Sequence, residues 1–125
     1  MIEILKDYPD TILAVSGTGR VTSEDYRDVL IPEVEARIAK HEHIRLFCFL
    51  GPDFDGLTAG AAWADLKLGL SRWNAFGRIA VVTDAGWIAD AVRLFAPFFH
   101  HPVKVFPVAD CKSARSWIHT EETVA

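Results

Sequence analysis

Two cysteines in 125 residues are too few for a disulfide-stapled scaffold. Cys48 lies in an apolar run and Cys111 in a polar one, with no metal-like spacing, so a reducing cytoplasm is the expected setting. Basic residues are short as well: 13 Lys and Arg against 17 Asp and Glu leave a net charge of −4. A nucleic-acid surface needs the opposite balance, which argues against that partner. No apolar run approaches the roughly 20 residues that span a bilayer. The opening "MIEILKDYPD" carries acids where a secretory leader has a basic segment, so no leader is expected. A glycine-rich phosphate loop is missing, since "SGTGR" at 16–20 lacks the spacing and the following Lys-Ser/Thr pair. There is also no nucleophile elbow and no Ser-His-Asp order. No cofactor and no metal are implied.

What the chain has is apolar mass. Half of its residues are hydrophobic and 11% aromatic, enough for one core in a single domain over 1–125. "IEIL" and "TILAVSG", separated by the turn-forming "KDYPD", predict an N-terminal hairpin. In "TSED", Thr22 is an N-cap with an acid at the third helical position. Tyr26, Val29, Leu30, Val34 and Ile38 then form a helical stripe, which Pro32 should kink or restart. "IRLFCFL" at 44–50 and "RIAVVTD" at 78–84 are continuously apolar strands of the kind covered on both faces in parallel sheets. Helices are predicted from Leu57 to Trp73, with Trp63 and Leu66 on one side, and over "GWIADAVRLFAPFF". In the latter Trp87, Ala91, Leu94 and Phe95 face inward and Pro97 ends the run. "VKVFPV" is a last strand, and "CKSARSWIHTEE" a terminal helix.

The order β-β-α-β-α-β-α-β-α predicts an α/β fold: about five strands, mostly parallel, helices on the faces. Ligands in such sheets sit at the carboxyl ends of the strands. That edge is expected from Ser16–Thr18, Pro52–Thr58, Thr83–Trp87 and Pro107–Asp110.

The loop "GPDFDGLT" lies on that edge. Asp53-x-Asp55-Gly56 after a strand, with Thr83 after a later one, resembles the opening of haloacid-dehalogenase phosphatases. An aspartate nucleophile with a second aspartate as acid/base is coherent phosphoryl-transfer chemistry. Against it, Gly51-Pro52 detaches Asp53 from the strand tip, and no later lysine and acidic pair appear. The simpler reading makes Asp53, Asp55, Thr58, Asp84 and Asp110 caps of helices and turns. His41 with His43, and His100 with His101, precede strands at helix C-termini, where solvated or capping histidine is expected. Phe54 stands out, as an aromatic in a polar loop.

The element order is that of STAS domains. "DGLTAGAAWADLKLGL", "GRIAVVTDAGWIADAVRLFAPFF" and "VKVFPVADCKSARSWI" are similar to the SpoIIAA-like family, also described as STAS/SEC14-like, over most of residues 10–119. That resemblance implies a small bacterial protein without an assigned reaction. It offers two models. One is an anti-anti-sigma type phospho-switch acting on a regulatory protein partner, with Thr58 standing where the family has serine. The other is a SEC14-type carrier of an apolar small molecule or lipid, in contact with the inner face of a membrane.

The expectation is therefore a non-enzymatic module that binds an apolar small molecule or lipid between the sheet and the helices predicted from Leu57 to Trp73 and over "GWIADAVRLFAPFF", with transient peripheral membrane contact. Its candidate ligand residues are Phe54, Asp55, Thr58, Trp63, Trp87, Phe95, Phe98 and Phe99. An exposed edge strand and aromatic surface are compatible with a homodimer, whose interface the sequence does not define.

Overall fold

Successive side chains leave a strand on opposite faces, so a strand that is apolar throughout needs two cores. The computed structural model, which describes residues 1–61, 63, 76–95, 97 and 103–120, provides both. Strands β1 (Ile2–Ile4), β2 (Ile12–Gly17), β4 (Ile44–Leu50), β6 (Phe76–Thr83) and β7 (Val103–Phe106) form one sheet in the order β1-β2-β4-β6-β7. The expected hairpin is present: β1 pairs antiparallel with β2, and every other pairing in this sheet is parallel.

The register explains which residues pack where. Leu13, Leu46, Ile79 and Val103 form a row across four strands. On this face lies a core of Leu13, Val15, Ile44 and Phe76, with Leu46 and Ile79 packed against it. The neighbouring row is Ala14, Phe47, Ala80 and Lys104. Two alanines flank the fully buried Phe47, leaving room for its ring beneath a helix on the opposite face.

Helices close both faces. The first begins with α1 (Ser23–Asp25), passes through a π-helical turn at Tyr26–Leu30 and continues as α2 (Ile31–Ile38). Its start is the expected capping box: the Thr22 hydroxyl accepts from the Asp25 N–H at 3.3 Å, and the Asp25 carboxylate accepts from the Thr22 N–H at 2.8 Å. Pro32 sits in the first turn of α2 and brings no N–H to the ladder there. The Ile31 N–H bonds to the Tyr26 carbonyl, so the wider π turn absorbs the break that Pro32 forces. Tyr26, Leu30 and Val34 bury against the first core. Helix α3 (Gly86–Phe95) follows β6, and α4 (Cys111–His119) follows β7 through a 3-10 turn at Val108–Asp110. Ala114 and Ile118 of α4 are fully buried in the second core with Phe47, Ala80 and Val82.

Two strands were not anticipated. β3 (Gly19–Val21) and β5 (Phe54–Leu57) form a separate two-stranded parallel sheet. The ladder slips between Gly19 and Arg20, which pair with Phe54 and Gly56, so Asp55 has no partner in the register. Gly56 accepts the strain with φ of 128°, a conformation that side chains rarely adopt. Gly17 permits the close approach of β4, since a Cβ there would stand 2.6 Å from Leu50.

Candidate functional site

The four parallel strands β2, β4, β6 and β7 end on one edge, and the expected segments meet there in two pairs. In one pair, the Gly19 N–H donates to the Asp53 carbonyl at 2.6 Å and the Thr58 N–H to the Val21 carbonyl at 2.9 Å. Residues 17–22 are thereby tied to 51–58. In the other, the Val108 N–H donates to the Asp84 carboxylate at 3.0 Å, which ties the end of β6 to the turn after β7.

Of the residues read as caps in the loop "GPDFDGLT", Thr58 is the one that caps a helix. Its Oγ1 accepts from the Ala61 N–H at 3.1 Å, at the start of the helical turn over 59–61. Gly60 lies against Ser23, whose Cβ and Oγ would both be 3.3 Å from an added Cβ, so the starts of two helices abut. Asp55 instead sits exposed in β5, and Asp53 is exposed in the preceding turn. Thr83 accepts from the Ala85 N–H at 3.1 Å, while Asp84 reaches across to accept from the Val108 N–H at the start of the 3-10 turn after β7. Asp110 occupies the N-cap of α4 without a side-chain cap bond, contrary to expectation. Neither Asp53 nor Asp55 is enclosed in the way that holds a nucleophile in place. Among the described residues no three His, Cys, Asp or Glu side chains group to hold a metal ion. His41 approaches Asp10 at 3.5 Å near the hairpin turn.

The aromatic candidates are redistributed. Phe54 is not in a loop: it begins β5, is half-buried and packs against the first core. A four-residue strand broken by glycine carries too little alternation to be read from sequence, which is why Phe54 looked unsupported. Trp87 and Leu94 were expected to face inward and do not. Trp87 is 52% exposed and Leu94 67%, whereas Ile88 is buried. Trp63, on the helix that opens at 59, is 63% exposed. Phe95 is the last residue of α3, and Phe98, Phe99 and the expected helix beyond Trp63 lie outside the described residues, as do His100 and His101.

Helix α3 is therefore apolar on two sides. Ile88, Ala89 and Val92 lie on the inner one, and Trp87, Ala91 and Leu94 at i, i+4 and i+7 on the outer. The exposed Asp90 and Arg93, 3.3 Å apart, are the charged residues beside that outer stripe. A surface helix ordinarily turns a polar face to water. The chemistry open to this stripe is contact with another apolar surface or molecule.

One cluster was not marked in the sequence: Lys112, Arg115, Ser116 and His119 on the outer face of α4. Their spacing of i, i+3, i+4 and i+7 in "CKSARSWIH" was the available signal. A hydrogen bond from Arg115 to the Tyr8 hydroxyl raises the guanidinium above its already high value, so it stays charged.

A family model described as SpoIIAA-like matches residues 12–119. The chain is also similar to the crystal structure of an uncharacterised protein with a SpoIIAA-like fold from Shewanella loihica PV-4, at 32% identity and a TM-score of 0.71. That match covers 94% of this chain and 92% of the other. No curated protein matches.

Proposed function

The chain belongs to the SpoIIAA-like family, and from that premise we propose that it is a non-catalytic binding module that holds an apolar small molecule or lipid and touches membranes transiently. The observation that carries the reading is the outward apolar stripe of α3. Folding has already buried Ile88 on the inner side of that helix, so Trp87 and Leu94 are left over from the packing of this chain. Trp63 repeats the pattern on a second helix that opens near the same strand edge. Indole rings at the start of helices suit the boundary between water and acyl chains. No described helix is long and apolar enough to cross a membrane, so the contact proposed is peripheral.

Flotation with neutral phosphatidylcholine vesicles tests the reading, with native mass spectrometry of protein exposed to lipid extract. The expected result is partial flotation that Trp87→Ser with Leu94→Ser removes, and a retained apolar molecule. A chain that ignores vesicles and carries nothing overturns it.

A second reading is favoured by Thr58, whose side-chain oxygen accepts from an N–H at a helix start, where phosphate is also well placed. In that reading Thr58 is a regulatory phosphorylation site governing a protein partner. Incubation with ATP and cell extract, followed by peptide mass spectrometry, checks it, and an unmodified Thr58 removes it. The phosphatase alternative with Asp53 and Asp55 has no comparable support, since both carboxylates are exposed.

A further inference from the structure

The chain carries a net charge of −4, yet the outer face of α4 is cationic. Lys112, Arg115, Ser116, His119 and Thr120 line a shallow depression of about 520 Å³. A merely solvated stripe leaves such side chains free to move, but two of these are held. The Arg115 Nε donates to the Tyr8 hydroxyl at 3.1 Å. The His119 ring has its Nδ1 2.7 Å from the Arg115 carbonyl and stacks on Tyr8 at 5.4 Å. Tyr8 in turn stacks on the buried Phe47, so the anchor rests on the core. These contacts use neither terminal nitrogen of the guanidinium nor the imidazole Nε2.

The position on the helix would normally disfavour an anion, because the last carbonyls carry partial negative charge. Two arginines from the sheet offset it. Arg45 donates to the Ile118 carbonyl at 2.8 Å, and Arg78 to those of Trp117 and Thr120 at 2.9 and 3.1 Å. Arg78 and Lys104 also stand over the Trp117 ring, at 5.1 and 5.0 Å from its centroid. In the sequence Asp110 precedes the helix and Glu121-Glu122 follow it, and no acidic residue falls within 111–119.

We propose that the outer face of α4 binds a phosphate group, carried by a soluble phosphate monoester or a phosphate-bearing headgroup. The Arg115 fork takes two phosphate oxygens, Lys112 and His119 flank the third, and the Ser116 hydroxyl adds a donor. This site is separate from the apolar stripe of α3 and does not depend on it.

The test titrates the full chain with inorganic phosphate and with glycerol phosphate, following backbone amide shifts against chloride at matched ionic strength. Saturable shifts confined to residues 112–120 are expected. Arg115→Gln should weaken them about tenfold without changing the melting temperature. Tyr8→Phe keeps the stacking and removes the hydroxyl anchor, and should weaken binding less; Trp87→Ser should leave it unchanged. Phosphatidylcholine vesicles with and without phosphatidic acid separate the sources. A gain on phosphatidic acid that Arg115→Gln abolishes identifies a headgroup, and soluble binding without that gain identifies a free monoester. Shifts no larger than those with chloride, together with no phosphatidic acid gain, overturn the proposal. So does an Arg115→Gln chain that binds like the wild type.

Discussion

Helices α3 and α4 are 10 and 9 residues long and each follows a parallel strand of the same sheet, yet they treat water in opposite ways. Both spend one side on packing: Ile88 in α3, and Ala114 and Ile118 in α4, are buried. On the other side α3 shows Trp87 and Leu94, and α4 shows Lys112, Arg115 and His119. Folding explains the inner sides of both. It explains neither outer side, since solubility asks only for mixed polar residues there. The contrast teaches that packing fixes one side of each helix and leaves the outward faces, one apolar and one cationic, as the candidates for binding.

The largest effects should come from the sides the two helices have in common. Ile118 is fully buried, and Ile118→Ala should cost about 2–5 kcal/mol through lost contacts and a cavity. Ile88→Ala should fall at the lower end of that range, because Ile88 retains 7% exposure. Denaturant unfolding checks both, and a negligible cost for Ile88→Ala would mean that α3 hardly packs on the sheet.

Next come the caps, which act on neither outer face. Thr58→Ala and Thr22→Ala each remove a side-chain acceptor from a helix start, at about 1 kcal/mol. The Thr22 cap also has an acid limb. Burial pulls the Asp25 carboxyl upward, but the N–H and hydroxyl of Thr22 and the nearby terminal amine outweigh it and hold the group below its ordinary value. A lowered folded value gives stability that is fully present above the ordinary value of about 3.8 and lost as pH falls through the folded one. Unfolding free energy should therefore drop below pH ~4, and Asp25→Asn should flatten that limb.

How much of this was legible in the sequence depends on the length of the signal. The strands "IRLFCFL" and "RIAVVTD" declared two-sided burial, and "TSED" declared its capping box. Both follow from local rules. β3 and β5 were hidden because three- and four-residue strands containing Gly19 and Gly56 show no alternation. The orientation of α3 was hidden for a different reason. Trp87, Ile88, Ala91, Val92 and Leu94 fill two faces, and periodicity cannot choose which one meets the sheet. The Arg115 anchor was beyond any local pattern, since Tyr8 lies 107 residues away.

The smallest stability effects should fall on the outer faces, and there the comparison can be broken. Trp87→Ser and Arg115→Gln both alter exposed side chains, and each should shift the unfolding free energy by no more than ~0.5 kcal/mol. Binding should move in crossed directions: Trp87→Ser lowers affinity for neutral vesicles and spares phosphate, and Arg115→Gln does the reverse. Lys112→Gln with Arg115→Gln should strengthen this split, because it removes charge without touching the apolar stripe. If the two substitutions instead shift both ligands together, the faces belong to one composite surface and the contrast between α3 and α4 collapses. If Trp87→Ser destabilises by 2 kcal/mol or more, on the scale of a core truncation, its ring is part of the packing after all. The outer stripe would then shrink to Ala91 and Leu94, too small a patch to hold a lipid or to dip into a bilayer.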